Sequence, residues 1–151
     1  MGKMGMEMNA APLVLDTSVV LKWFRQEEIL ANHALGLLDA YLNGQRRIIA
    51  PSLLSYEVAN VLCYKNDLTT EQIEIALQSL FDLALDWAAP TVPMIRRAAV
   101  IAREYDTSIY DATFAALAES AGGIFITADE RLVRQLAALR YVTFLGDVGA
   151  S

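Results

Sequence analysis

The sequence predicts an α/β fold: a three-layer α/β/α sandwich around a central, mainly parallel sheet. Three observations carry that expectation. The short apolar runs "LVLD" (13–16), "RIIAP" (47–51), "IFIT" (124–127) and "YVTFL" (141–145) lack polar alternation, as strands covered on both faces do. Segments of helical periodicity separate these runs. The two kinds alternate along the chain, which is the pattern of a parallel sheet covered by helices on both faces. In open sheets of this kind, ligands gather beyond the carboxyl ends of the strands.

Taken in order, "LVLD" is a buried strand that runs straight into Asp16. Residues 27–44 repeat apolar positions at helical spacing and end on Gly44, a natural C′ residue. Pro51 stops the second strand, and residues 52–66 form a helix with the apolar stripe Leu54, Val58, Val61, Leu62 and Ser52 at its N-cap. Residues 69–85 form the next helix, and "DWAAP" (86–90) a short strand. Helices over 93–106 and 108–123 follow, the second ended by its glycines. After "IFIT" come a helix over 128–139 and the last strand, "YVTFL".

A chain of 151 residues sets the natural count at one domain, here residues 12–151, behind a lead at 1–11 that is disordered or vector-derived. That lead has no apolar core of a signal peptide, and no stretch approaches a membrane span. The 55% hydrophobic content and mean hydropathy of +0.33 point to a large core or a subunit interface. Cys63 stands alone, which excludes an internal disulfide and fits a cytoplasmic protein. Eighteen acids against twelve bases give a net charge of −6, which speaks against broad, nonspecific nucleic-acid binding.

Four acids share one setting. Asp16 ends the first strand, and Asp129 lies two residues past "IFIT". Asp111 falls in the first turn of its helix, and Glu57 in the second turn of the helix after "RIIAP". All four belong to the rim where the strands end. Helix capping is the competing account: Asp16 precedes a helix, Ser108 to Asp111 resembles a capping box, and Thr127 to Glu130 fits that pattern outright. Glu57 resists it, because it lies beyond the cap and flanks the apolar stripe.

Carboxylates crowded together raise one another's pKa and need compensation. No arginine adjoins Asp16, Glu57 or Asp111, and Arg131 adjoins only Asp129. A hard divalent cation provides the compensation, and an all-oxygen donor set selects Mg²⁺ or Mn²⁺ over zinc. His33 and Cys63, each the single residue of its type, offer no rival cluster. Such a site suits phosphodiester hydrolysis.

The motifs "LVLDTSVVLKWF", "SYEVANVL", "IYDATFAALAE" and "ITADERL", in that order, closely resemble the PIN-domain ribonucleases, and among them the VapC-type toxins of toxin–antitoxin pairs. The likeness spans residues 13–145. It places the family's acidic quartet on Asp16, Glu57, Asp111 and Asp129, its small hydroxyl on Thr17 or Ser18, its helical Asn on Asn60, and its second hydroxyl on Thr127. It implies a metal-dependent endoribonuclease that leaves a 3′-hydroxyl and a 5′-phosphate, a homodimer, and a VapB-type antitoxin as partner. On this expectation Asp16, Asp111 and Asp129 bind the metal, and Glu57 completes the shell or deprotonates the attacking water. Ser18 and Thr127 hold carboxylate rotamers, and Asn60 orients Glu57.

Other residues receive structural readings. His33 is structural in mid-helix, Cys63 is a small core residue on its helix, and the pairs Lys22/Arg25, Arg46/Arg47, Arg96/Arg97 and Arg131/Arg134 are solvated faces. Trp23, Phe24, Tyr56 and Tyr110 flank the motifs, with core or interface packing favoured over base stacking. Asp147 is either a fifth rim acid or part of a C-terminal turn. Two other functions compete: a PIN-domain nuclease of RNA maturation and a non-catalytic module of the same fold. A haloacid-dehalogenase-like phosphatase is disfavoured, because Ser18 stands where that family places its second Asp.

Overall fold

A computed structural model describes residues 10–149, so most of the lead expected at 1–11 lies outside the described residues. The elements are β1 (Leu13–Leu15), α1 (Thr17–Val20) with a 3-10 turn (Leu21–Trp23), α2 (Ala31–Leu42), β2 (Ile49–Pro51), α3 (Leu53–Cys63), α4 (Thr70–Asp82) and β3 (Asp86–Ala88). They continue with α5 (Val92–Tyr105), α6 (Ile109–Ala121), β4 (Ile124–Thr127), α7 (Glu130–Gln135), β5 (Val142–Phe144) and a closing 3-10 turn (Leu145–Asp147).

Every strand pair is parallel: β1 with β4, β4 with β5, and β2 with β3. A single parallel bridge, Leu13 to Ile48, joins the three-stranded and two-stranded parts. The resulting order is β3-β2-β1-β4-β5, with chain direction across the sheet reversing between β1 and β4. That reversal makes the gap beyond β1 and β4 the topological switch point, where a crevice opens. Right-handed crossovers then put α2 to α4 on one face and α5 to α7 on the other, giving the three layers. Helix α6 lies across β1, β2 and β4, and α5 packs against α6.

Strands β1, β2 and β4 are buried because the sequence gives them nothing to show to water, whereas the edge strands β3 and β5 are only partly covered. Leu13, Val14, Leu15, Phe125 and Ile126 all lie in the core, where the Phe125 ring stacks on Phe114 of α6 at 6.1 Å. Helix α3 buries Leu54, Val58 and Leu62, a stripe at i, i+4, i+8. Val61 is only half-buried, and the neighbouring Cys63 is exposed. The core role expected for Cys63 is therefore incorrect: it sits one step of helical rotation beyond Leu62, at the end of the helix.

Several boundaries differ from expectation for local reasons. Helix α2 starts at Ala31, not residue 27, because Leu30 takes a left-handed conformation (φ 68°) that breaks the preceding turn. Helix α4 stops at Asp82; Ala84 is left-handed (φ 53°), and the Tyr41 hydroxyl donates to the carbonyls of Leu83 and Ala84. Ser52 stands at the cap of α3 with helical backbone angles and makes no side-chain cap bond, so its expected capping role is not realised. Helix α1 is the helix that the capping account of Asp16 supposed, although "SVVLKWF" offers it little polar face. Val19, Val20 and Trp23 are buried, and the Trp23 indole donates to the Ala34 carbonyl at 2.9 Å.

Gly123 starts β4 directly against Pro12, where an added Cβ would meet the Pro12 carbonyl oxygen at 2.5 Å. That close approach sets the β1–β4 register, because Ile124 N–H donates to the same oxygen. Gly123→Ala is expected to cost about 1–3 kcal/mol through displaced backbone, measurable as a lowered urea midpoint with an unchanged slope.

Candidate active site

The chain leaves β1 through Asp16, whose backbone N–H points at the Ile126 carbonyl of β4 and whose own carbonyl starts α1 by accepting from Val19 and Val20. Asp16 therefore occupies a helix N-cap by backbone, yet its side chain caps nothing. The carboxylate turns instead under the strand ends, where the residue is only 6% exposed. Ser18 donates to Asp16 Oδ1 at 2.5 Å, and its oxygen accepts the Ala128 N–H at 2.9 Å. One hydroxyl thus latches the end of β1 to the end of β4. Thr127, fully buried, lies beside it at 3.4 Å.

Thr17 faces the other way and donates to Glu57 Oε1 at 2.6 Å, tying α1 to α3. The sequence reading expected Asn60 to orient Glu57; in the structure a hydroxyl does so, and Asn60 is exposed on the cleft wall with no hydrogen bond to it. Glu57 itself is half-buried. Ser108 caps α6 by accepting the Asp111 N–H at 3.0 Å. The Asp111 carboxylate does not return the bond, so only half of the expected capping box forms and the carboxylate stays free. The second expected box does not form: α7 begins after Asp129, which caps Leu132, while the Thr127 hydroxyl accepts the Asp129 N–H.

Asp16, Thr17, Ser18, Glu57, Asn60, Asp111 and Asp129, with Val61, line one cleft of about 270 Å³. Asp147 is exposed on the final turn and does not line it. Trp23 is buried in the core, whereas Tyr56 and Tyr110 are exposed, so of the core or interface packing favoured for those two tyrosines the core half is not realised. His33 is half-buried and lies apart from the cleft.

Electrostatics register the convergence. Burial pushes the Asp16 carboxyl up to about 6, opposed by the Ser18 and Thr127 hydroxyls and reinforced by the charge of Asp111. Burial also raises Glu57, with Thr17 opposing and Asp111 adding to the rise. Asp111 is raised by burial and then by Asp129. Asp111 is thus the hub, within electrostatic reach of the other three acids. Among the described residues, none of the four is ion-paired; Arg131 does not bridge to Asp129.

The donor set has features for and against a bound cation. In favour stand four carboxylates, no cationic side chain in the cleft lining, and pKa values of Asp16, Glu57 and Asp111 raised by burial and, to a lesser degree, by a neighbouring acid. Against a closed protein cage, no three acidic, histidine or cysteine side chains among the described residues stand as a ready coordination cluster. The combination fits a hard, oxygen-seeking ion that keeps much of its water, as Mg²⁺ ordinarily does.

With this geometry, comparison with known proteins is decisive about family. The PIN domain family model matches residues 13–138. The chain belongs to the PIN domain family. Among solved structures, the PIN domain is similar to a toxin–antitoxin complex from Klebsiella pneumoniae, with a TM-score of 0.66 at 15% identity over 88% of this chain and 97% of that one. It is also similar to PAE2754 from Pyrobaculum aerophilum, with a TM-score of 0.61 at 20% identity over 91% of this chain and 92% of that one. At these identities the likeness shows the fold. No curated protein sequence matches the chain. PIN domains are generally nucleases that use divalent metals. No helix among the described residues is long and apolar enough to cross a membrane.

The raised Asp16 pKa makes a stability prediction for the metal-free PIN domain. Below pH 3.8 the group is protonated in folded and unfolded chains alike; as pH rises toward about 6 the unfolded chain ionises first, and stability falls. Above about 6 the whole penalty applies, about 3 kcal/mol at about 1.4 kcal/mol per pKa unit. Asp16→Asn is therefore expected to melt higher than the wild type in EDTA at pH 7.5, with the gap closing by pH 4. Thermal denaturation at the two pH values checks it.

Proposed function

We propose that this PIN domain is a metal-dependent endoribonuclease that hydrolyses RNA phosphodiester bonds, and that it is the toxin of a VapBC-type pair. One observation carries the reading: four acids from four separate segments line one cleft with no ion pair among the described residues. Such a cluster costs stability unless something cationic binds there. The toxin assignment is supported by the fold it shares with the Klebsiella pneumoniae toxin–antitoxin complex. The reading carries with it a VapB-type antitoxin, a homodimer and a cytoplasmic location.

In this reading Asp16, Asp111 and Asp129 hold Mg²⁺ or Mn²⁺, directly or through water. The ion, when bound, neutralises the scissile phosphate and lowers the pKa of the attacking water. Thr17 occupies Oε1 of Glu57, which leaves Oε2 to orient that water and take its proton. The water oxygen bonds to phosphorus as the bond from phosphorus to the 3′-oxygen breaks. The 3′-oxygen takes up a proton, so the products are a 3′-hydroxyl and a 5′-phosphate, and Glu57 returns its proton to solvent. Ser18 keeps Asp16 in one rotamer throughout, and Thr127 packs against Ser18.

Asp16→Asn and Asp111→Asn are each expected to lower cleavage about 100-fold or more, since the cation supplies several kcal/mol of transition-state stabilisation. Sequencing RNA ends after induction in cells tests this: the wild type should generate new 5′-phosphate ends and Asp16→Asn should not. Equal cleavage by both variants would remove these roles. Chelation by EDTA should silence the wild type in vitro.

A further inference from the structure

Beside the carboxylate cleft runs a second groove of about 270 Å³, walled by apolar side chains that include Leu53, Met94, Ile95 and Ile109. Tyr56 and Tyr110 both line it, and both are exposed, at 74% and 58%. A recess lined by Leu53, Tyr56, Glu57, Asn60 and Tyr110 connects this groove to the acidic cleft. The tyrosines immediately precede acids of the cleft, Glu57 on α3 and Asp111 on α6. Successive helical residues diverge by about 100°, so each helix turns its acid into one depression and its tyrosine into the next. Neither phenol hydroxyl has a hydrogen-bond partner among the described residues.

No lysine or arginine lines the cleft, the groove or the recess. Several basic side chains are engaged elsewhere: Lys22 with Glu28, Arg25 with Glu27 and Asp67, Arg47 with Asp86, and Arg97 with Glu119, while Arg96, Arg131 and Arg134, unpaired among the described residues, line none of the three depressions. Arg46 donates to the Ala11 carbonyl at 2.7 Å. A base seated in the groove or the recess therefore meets no protein cation there, and its hold comes from the walls. Unpaired bases stack on aromatic rings, and apolar walls suit their faces.

We propose that Tyr56 and Tyr110 grip one unpaired base of a single-stranded RNA, adjoining the phosphodiester held in the carboxylate cleft, and that this stacking supplies most of the protein's hold on its substrate. The proposal rests on the ribonuclease reading above. It assigns the two tyrosines to substrate binding and makes the chemical step independent of them. It also entails a shallow dependence of binding on salt, because few phosphates are neutralised by protein cations.

The test is steady-state cleavage, with Mg²⁺ or Mn²⁺, of a fluorophore-quencher pool of random single-stranded RNA by the full chain. Tyr56→Ala and Tyr110→Ala should each raise KM about tenfold or more, with kcat within about threefold. Tyr56→Phe and Tyr110→Phe should restore KM, because the ring is what stacks. Log KM plotted against log salt should have a slope near one or below, and the same pool annealed into duplex should resist cleavage. Wild-type KM in both Ala variants, failure of Phe to rescue, or a steep salt slope overturns the proposal while leaving the nuclease intact. So does light scattering that finds a wild-type dimer dissolved by either Ala substitution, since a second copy then fills the groove. A wild type that cuts no RNA under any divalent ion removes the nuclease reading and this inference together.

Discussion

Parallel pairing of β1 with β4 is the constraint on which the site depends. It sets two strand ends side by side at the point where chain direction across the sheet reverses, and it leaves Asp16 nowhere to go but inward. A carboxylate held there at 6% exposure is costly on its own. The cost is met locally by one hydroxyl, since Ser18 donates to Asp16 and accepts from Ala128, so the latch that fixes the rotamer also closes the strand ends. Thr17, the other hydroxyl of the same turn, carries the ordering outward to Glu57 and α3. Four elements, β1, α1, α3 and β4, are thereby indexed to one strand end.

Charge is apportioned unevenly over this molecule. The net charge of −6 is an average over a surface where several bases are paired with neighbouring acids and a cleft where the acids are not. The bidentate contact of Arg97 with Glu119, with Tyr141 donating to the same carboxylate, shows how the chain treats an acid it intends to keep ionised: that carboxyl is held below its ordinary range. Asp16, Glu57 and Asp111 move in the opposite direction. The contrast separates acids that fasten the fold from acids left free for other work.

Much of this was legible in the sequence, for identifiable reasons. Strands buried on both faces reveal themselves by unbroken apolar runs, and an acid at the end of such a run has few structural uses, so Asp16 and Asp129 could be placed on one rim. Glu57 could be placed because it lies off the buried stripe of α3. What escaped depended on a few backbone angles. The left-handed Leu30 delays α2, and the two-residue shift of the α7 start turns Thr127 from a cap into a partner of Asp129. The bond from Thr17 to Glu57 spans 40 residues and leaves no trace in local spacing. Tyr56 and Tyr110 looked like packing residues because neighbouring positions on their helices are apolar; only the assembled structure leaves their rings uncovered.

The bridge from Leu13 to Ile48 divides the sheet, and the acids are divided with it. Asp16 and Asp129 leave the three-stranded part, whereas Glu57 stands on the helix that follows the two-stranded part. Shear along that seam would widen or narrow the gap between the two sets without unzipping any ladder. Helix α6, which bears Asp111 and lies across β1, β2 and β4, spans the seam like a splint. Its stiffness fixes how far apart the two banks of carboxylates can drift.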